Sequence, residues 1–256
     1  MEVLLSCMSS SPEEIVKRTN IVSDITVVNQ CSNDGILKTC TENGYRLQII
    51  NSSNRGLSKS RNMAIRNASS DICLICDDDE ILCNNYANLI ESAFKKNPHA
   101  DLIAFALDYS DKKYPKKKKK IGYLSALKIS SVQIAFRRSS IIKNDISFDE
   151  RLGSGTGNGA GEEQKFLYDC LKADLNIVFL PIYIGKVICD SPSSWFHGYT
   201  KDYFFNRGWV HKILFGFFFA CAYNIYFSIA KYKLYKSDIS FWATITSAFR
   251  GTFSKK

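Results

Sequence analysis

Four consecutive acidic residues, Asp77–Glu80, follow the short apolar run Ile72–Cys76. Five apolar residues bounded by polar ones predict a strand buried on both faces, as in a parallel sheet covered by helices. The acids then lie at the carboxyl end of that strand, where open α/β sheets bind their ligands. Because adjacent carboxylates repel one another, they predict a Mg²⁺ or Mn²⁺ site with positions open to substrate phosphates. A solvated acidic turn is the alternative.

A predicted helix shortly before this strand carries an arginine on its apolar side. At 100° per residue, Arg61 falls inside the apolar stripe, whereas Lys59 and Arg66 point away. The stripe itself consists of Leu57, Ala64, Ile65 and Ala68. An inward arginine needs an anionic partner, which could be Asp77–Glu80 or a nucleotide diphosphate. The alternative is an arginine that reaches solvent from the edge of the stripe.

A second predicted helix follows a run of alternating glycines from Gly153 to Gly161. The glycines do not match a dinucleotide-binding fingerprint, and they favour a mobile loop that closes over a substrate. Glu163 lies at the centre of the helix's apolar stripe and Glu162 at its edge. A carboxylate on a buried stripe tends toward a raised pKa, which suits a general base. Both acids could instead simply complement the helix dipole.

Strands alternate with helices along the first part of the chain, which indicates parallel βαβ units. The polar residues that end two of these strands, Asn29-Gln30 and Asn51-Ser52, should line the same rim as Asp77–Glu80. The predicted strands are Val3–Cys7, Ile25–Val28, Leu47–Ile50, Ile72–Cys76, Leu102–Leu107 and Val132–Phe136, and a helix is predicted from Pro12 to about Thr19.

The composition favours a globular chain whose charge is unevenly distributed. The 256 residues are 45% hydrophobic, enough for one full core with an appendage. Residues 1–109 carry a net charge of −4 and the remainder +13, so the second part faces an anionic partner. The chain has nine cysteines and no apparent secretory leader, which predicts that the protein resides in a reducing cytoplasm. Cys73 and Cys76 should point to opposite faces of one strand and cannot share a metal ion.

Several motifs, taken in order, resemble family 2 glycosyltransferases over about residues 1–180. They are Asn54-Arg55-Gly56-Leu57-Ser58, Ser60-Arg61-Asn62, the strand ending in Asp77 and Asp79, Phe148-Asp149-Glu150, and Gly161-Glu162-Glu163. The resemblance implies a GT-A fold, a nucleotide-sugar donor and an inverting, metal-dependent transfer. Asp77 and Asp79 match the family's DxD motif, in which the second acid holds the metal, and Asp78 joins them on the donor side. Arg61 matches an arginine near the donor phosphates, and Glu163 matches the base of the family's acidic dyad.

The sequence departs from the family pattern at two places. The family's second strand usually ends in a motif that reads the base and ribose, and here Asn29 and Asp34 are the candidates. Many relatives carry a histidine near the equivalent of Cys189-Asp190, and His197 is the nearest candidate metal ligand in this chain. Trp195 is a candidate platform for the acceptor sugar.

The C-terminal segment, residues 201–256, is aromatic-rich and basic. Its run from Ile213 to Ala230 has no charge and is flanked by basic residues on both sides. Such a run favours a helix lying in the surface of an anionic membrane. A membrane-spanning helix and packing against protein are the alternatives. The basic loop Lys112–Lys120 fits the same surface.

Together these features predict a Rossmann-like α/β fold of GT-A type, with a mostly parallel sheet, flanking helices and a C-terminal hydrophobic helical segment. The GT-A domain is expected at 1–200, with a donor half at 1–109 and an acceptor half at 110–200. We expect Mn²⁺ or Mg²⁺, a UDP-sugar donor and a polyprenyl-diphosphate-linked acceptor in capsule or O-antigen assembly. The expected location is the cytoplasmic face of the cell membrane, without nucleic acid. A nucleotidyltransferase and a non-catalytic basic membrane-binding protein are the alternatives.

Overall fold

A computed structural model of the chain describes residues 1–108, 112–158, 160–188, 196 and 198–255. The described residues form one ten-stranded sheet, in the order β3-β4-β2-β1-β5-β9-β7-β10-β6, with β8 paired to β10. The strands are β1 (Glu2–Cys7), β2 (Asp24–Gln30), β3 (Gly35–Cys40), β4 (Arg46–Ser52), β5 (Ile72–Asp77), β6 (Glu80–Leu82), β7 (Leu102–Asp108), β8 (Lys119–Lys120), β9 (Ile134–Arg137) and β10 (Ile177–Val187).

The centre of the sheet is parallel. Strands β4, β2, β1 and β5 run side by side in one direction, and every residue of β1 is buried. Strand β9 enters antiparallel between β5 and β7, so that β7 and its parallel neighbour β10 again run with β5. The α/β sheet predicted from the alternating strands and helices is therefore confirmed.

Helices cover both faces of this sheet. One core lies under α1 and α3 and contains Cys76, whereas the other lies under α2 and α6 and contains Cys73. The two thiols thus point to opposite faces, as strand alternation requires. The helices are α1 (Pro12–Arg18), α2 (Leu57–Asn67), α3 (Tyr86–Lys96), α4 (Tyr123–Ala126), α5 (Arg138–Lys143), α6 (Glu162–Lys172), α7 (Lys201–Phe215), α8 (Phe217–Ala230), α9 (Tyr232–Tyr235) and α10 (Phe241–Phe253).

The described part of the glycine run packs against the beginning of α2. The Leu57 amide donates to the Ser154 carbonyl at 3.0 Å, and Ser58 Oγ donates to the Leu152 carbonyl at 2.7 Å. Gly153 and Gly155 have φ values of 97° and 86°, a backbone region that favours glycine. The run therefore brings residues 152–154 against α2 through tight turns.

The apolar run Ile213–Ala230 is divided between two helices. Gly216, with a φ of 76°, separates α7 from α8. Within the described residues, every helix falls short of the length and apolar character needed to cross a bilayer. Helix α7 crosses α10 at very short range, because a Cβ on Gly208 would lie 1.8 Å from the Ala248 carbonyl oxygen.

Candidate active site

Polar residues at the carboxyl ends of the parallel strands share one rim of the sheet. Asp77 of β5 pairs in register with Ser6 of β1, and Cys7 pairs with Asn29 of β2. Asn29 in turn pairs with Asn51 of β4. The structure therefore brings the acidic run to the rim that the strand pattern predicts.

Arg61 connects this rim to the helix that carries the two glutamates. Its side chain is nearly inaccessible to solvent, with 1% exposure. One guanidinium nitrogen, Nη2, donates to both carboxylate oxygens of Asp77 at 3.1 and 2.9 Å and to Ser131 Oγ at 2.8 Å. The other, Nη1, lies 3.4 Å from Glu162 Oε1. One buried cation thus joins α2, β5 and α6.

The surroundings of Arg61 keep it charged despite its burial. Burial disfavours the cation, but Asp77, Glu162 and Glu163 outweigh that effect and raise the pKa of Arg61. The guanidinium also lies 5.4 Å from the ring centroid of Phe148. Two buried atoms of the cluster, Arg61 Nε and Glu162 Oε2, have no hydrogen-bond partner among the described residues. Within the described part of the chain, the cluster therefore retains one unpaired donor and one unpaired acceptor at buried positions.

Asn62 holds the Phe148 segment against α2. Its Oδ1 accepts from the Phe148 amide at 2.7 Å, and its Nδ2 donates to the Phe148 carbonyl at 2.9 Å. Two sequence motifs separated by 86 residues meet through this pair of bonds. The pair fixes the ring of Phe148 beside Arg61.

The remaining acids of the run differ from Asp77 in their surroundings. Partial desolvation, together with the charges of Asp77 and Asp78, raises the pKa of Asp79 to about 6, although the residue as a whole is exposed. Burial and Asp77 also raise the pKa of Asp78, whose backbone carbonyl accepts from Arg18 at 2.6 Å. Burial raises the pKa of Glu80 well above its ordinary value, and its Oε2 accepts from the Asp77 amide at 3.1 Å. Within the described chain, no side-chain ion pair reaches Asp78, Asp79 or Glu80.

These residues fit a hard divalent cation. Crowded carboxylates with raised pKa values offer oxygen ligands whose mutual repulsion a cation would relieve. Over the described ranges, no group of three or more His, Cys, Asp or Glu side chains is arranged as a complete metal cage. Mg²⁺ is commonly held by one or two protein carboxylates, and substrate phosphates complete its coordination. The acidic run provides carboxylates for such a partial set of ligands.

The two glutamates occupy the first turn of α6, but their environments differ. Glu162 is the more deeply buried and contacts Arg61, whereas Glu163 is half-buried and accepts from Gln164 Nε2 at 3.0 Å. Burial and the charge of Glu162 raise the pKa of Glu163 to about 8, against the opposing effect of Arg61. The helical wheel placed Glu163 as the more inward residue. In the structure Glu162 is the more buried of the two, because the first turn of α6 faces α2 beside Arg61.

Lys112 and Ser131 were not singled out as site residues from the sequence. Lys112 is half-buried, and its Nζ donates to Gln133 Oε1 at 2.6 Å and to Ser130 Oγ at 3.0 Å. Burial lowers the pKa of Lys112, while the charge of Glu163 acts in the opposite direction. The sequence places Lys112 only in the basic loop, and its position at the start of that lysine run is the single signal for it.

The other predicted site residues have different placements. The amide group of Asn29 is used within the protein, since its Nδ2 donates to Ser9 and Asn51 and its Oδ1 accepts from the Ser9 amide. Asp34 is exposed and accepts from the Ser53 amide at 2.6 Å. Trp195 and His197, together with Cys189 and Asp190, lie outside the described residues.

Comparisons with known proteins agree with this architecture. The crystal structure of S. aureus TarS residues 1–349 has a TM-score of 0.63 and 16% identity, covering 98% of this chain and 81% of that one. Its complex with UDP-GlcNAc gives 0.62 at 15% identity, covering 93% and 74%, and its UDP complex gives 0.60 at 18% identity, covering 93% and 75%. A search of curated protein sequences finds no match.

The family assignment comes from the sequence itself. The family model described as Glycosyl transferase family 2 matches residues 7–154, which is more than half of the chain. This range contains Arg61 and the whole acidic run and ends at residue 154, and α6 begins beyond it at Glu162. The predicted GT-A fold is confirmed, and the nucleotidyltransferase alternative is wrong. The chain belongs to glycosyl transferase family 2 and is a glycosyltransferase with a GT-A fold.

Proposed function

We propose that the chain transfers a sugar from a UDP-sugar to a hydroxyl group of a lipid-linked saccharide, with inversion at the anomeric carbon. The observation that carries this proposal is the contact of Arg61 with both Asp77 and Glu162. It holds the acidic end of β5 and the first turn of α6 on two sides of one cation. Donor and acceptor chemistry can therefore take place in a single cleft.

The donor side of this cleft consists of Asp77–Asp79 and Arg61. Asn29 shapes the rim behind these residues, and Asp34 is the candidate contact for the base and ribose. TarS, whose fold is similar, has been crystallised with UDP-GlcNAc and with UDP. UDP-GlcNAc is accordingly the first donor to test.

Asp79, supported by Asp77, would hold Mn²⁺ or Mg²⁺ in this site. When bound, such a cation supplies charge neutralisation at the diphosphate leaving group. Arg61 adds a fixed positive charge on the same side, in surroundings largely closed to water. Its contact with both oxygens of Asp77 fixes the position of that carboxylate.

Glu163 is the proposed general base. It takes the proton of the acceptor hydroxyl while the hydroxyl oxygen bonds to the anomeric carbon from the face opposite the leaving group. The bond from that carbon to the phosphate oxygen breaks, and UDP leaves with the electron pair. Glu162 orients Arg61 and raises the proton affinity of Glu163 through its own charge.

The proposed acceptor is a polyprenyl-diphosphate-linked saccharide of bacterial surface polysaccharide assembly. Two features support it: the helix bearing Glu163 packs against α7, the first of the aromatic, basic C-terminal helices, and Val210 of α7 lies directly beside Gly161. This proposal places the reaction at the cytoplasmic face of the membrane.

A donor screen tests the proposed reaction. Purified protein with Mn²⁺ is incubated with a panel of UDP-sugars, and release of UDP is measured with and without lipid-linked acceptors. Glu163→Gln should lower kcat about 10³-fold, because general-base catalysis contributes on that order. Glu14→Gln, an exposed acid in the first turn of α1, is the matched control and should retain activity. Full activity of Glu163→Gln would exclude this base.

The metal role of Asp79 is tested separately. Asp79→Asn removes a charged oxygen ligand, so the Mn²⁺ concentration needed for half-maximal activity should rise about 10- to 100-fold. Asp174→Asn, an exposed change at the far end of α6, provides the control. Unchanged Mn²⁺ dependence of Asp79→Asn would contradict the assignment.

A further inference from the structure

Helix α8 has its apolar and polar sides reversed relative to an ordinary surface helix. Its outward side chains include Phe218, Phe219 and Tyr226, which are 84%, 76% and 63% exposed. Its inward side chains include Asn224 and Ser228, each 1% exposed. Soluble proteins rarely expose a contiguous apolar surface of this kind without a binding partner.

Buried hydrogen bonds fix this orientation. Asn224 Oδ1 lies 2.6 Å from His211 Nδ1, and Asn224 Nδ2 donates to Thr252 Oγ1 at 2.8 Å. Rotating α8 to bury its phenylalanines would break both bonds inside an apolar environment. The exposed aromatic face therefore follows from the packing of α7, α8 and α10.

Aromatic side chains extend the apolar face at both ends of α8. At its beginning, the exposed Phe253 of α10 lies 5.0 Å from Phe217 between ring centroids. At its end, Tyr232 lies 6.1 Å from Phe241, which is next to the exposed Trp242. Tyrosine and tryptophan favour the boundary between hydrocarbon and water.

The charges next to α8 in the sequence are mostly basic. Residues 203–237 contain no acidic residue, Asp202 and Asp238 adjoin that range, and basic residues flank α8 on both sides. The flanking residues are Lys212 before the helix and Lys231, Lys233 and Lys236 after it. A second copy of the chain would bring like charges together, whereas an anionic lipid surface would be attracted to them.

We propose that the outward face of α8 inserts into the interfacial layer of an anionic bilayer. The helix lies in the membrane plane over a length of about 21 Å, with its flanking lysines at the headgroups. Because α7 packs on α6, docking would hold the first turn of α6 near a lipid-linked acceptor. The binding itself does not depend on the proposed reaction.

Vesicle flotation of the full chain tests the proposal. The protein should float with vesicles of phosphatidylcholine and phosphatidylglycerol, and bind more weakly to phosphatidylcholine alone. Phe218→Ser with Phe219→Ser should weaken binding to the anionic vesicles at least about tenfold. Lys233→Gln with Lys236→Gln should weaken it about fivefold for each lysine removed.

Two controls separate docking from other causes. Leu124→Ser replaces a side chain that is 81% exposed on α4 and should float like wild type. Glu163→Gln should also float like wild type, which distinguishes membrane binding from catalysis. Equal binding to both vesicle types, or unchanged binding of the double phenylalanine variant, overturns the proposal. The proposal is also overturned if wild type binds no vesicles and sedimentation shows a dimer that the double phenylalanine variant dissociates.

Discussion

The Arg61 cluster, which consists of Arg61, Asp77 and Glu162, and the outward face of α8 both depart from the usual burial of apolar side chains and exposure of charged ones. They depart from it in opposite directions. The Arg61 cluster buries a cation and the carboxylate of Glu162 next to the partly exposed Asp77, whereas the α8 face exposes phenylalanines and buries an asparagine. Each arrangement costs free energy in the isolated protein. In both places, a bound partner would recover part of that cost: a donor diphosphate in one case and a lipid surface in the other.

The difference also shows what holds each region in place. The Arg61 cluster is maintained by charge, because Asp77 and Glu162 would repel each other without the guanidinium between them. The α8 face is maintained by neutral hydrogen bonds from Asn224 to α7 and α10, two helices that themselves cross closely at Gly208 and Gly251. Substitutions should therefore affect the two regions through different forces.

The largest effect is expected for Arg61→Met. Removing the cation leaves the buried Glu162 and the partly exposed Asp77 without compensation, which should lower the free energy of unfolding by about 3 kcal/mol. Urea denaturation measures the loss. Adding Asp77→Asn to the same chain should recover part of it, because one uncompensated charge is then removed.

Arg66→Met on the exposed side of α2 is the matched control. It should change the free energy of unfolding by less than about 0.5 kcal/mol. Equal stability of the Arg61 and Arg66 variants would show that charge does not maintain the Arg61 cluster.

A smaller effect is expected for Asn224→Ala in α8. The change leaves His211 Nδ1 and Thr252 Oγ1 without their buried amide partner, which should cost about 1–3 kcal/mol. Tyr226→Ala, on the outward face of the same helix, should cost less in thermal or urea unfolding. If removal of the exposed tyrosine were the more destabilising change, the reversed polarity of α8 would have no role in its stability.

The smallest effect concerns pH. Since the pKa of Glu163 is about 8, the carboxylate form of the proposed base increases as the pH rises toward that value. Lys112 favours this charged form, so Lys112→Met should move the acidic limb of the kcat/KM profile to higher pH by a fraction of a unit. Lys113→Met, next to it and exposed, should leave the limb in place. A shift in the opposite direction would remove Lys112 from the environment of Glu163.

The buried strands could be predicted because hydrophobic runs determine them. Strand β5 is the clearest example, with four consecutive buried side chains before Asp77. Strand β3 was missed because all six of its residues are exposed at the sheet edge, where burial imposes no pattern. Strand β6 was missed because it begins at Glu80, an acid that is buried in the sheet.

The site could be predicted only where one element determines it. Helical periodicity was enough to predict that Arg61 lies on the inward side of its helix, but it could not identify which anion would pair with it. Ser131 lies 70 residues further along the chain and reaches Arg61 only through the fold. The wheel ranked Glu163 as more buried than Glu162, and the structure has the opposite order, because their burial depends on how the first turn of α6 meets α2.

Gly161 limits how this fold can be divided. It precedes α6 with a φ of 102°, and a Cβ there would lie 2.6 Å from Cγ1 of Val210 in α7. Trp209, Val210 and Leu214 of α7 also share the core beneath α2 and α6. A protein cut at residue 200 would retain Arg61, Asp79 and Glu163 but lose one wall of that core. The catalytic region therefore depends on the C-terminal helices, and a chimeric protein that includes this region must include those helices as well.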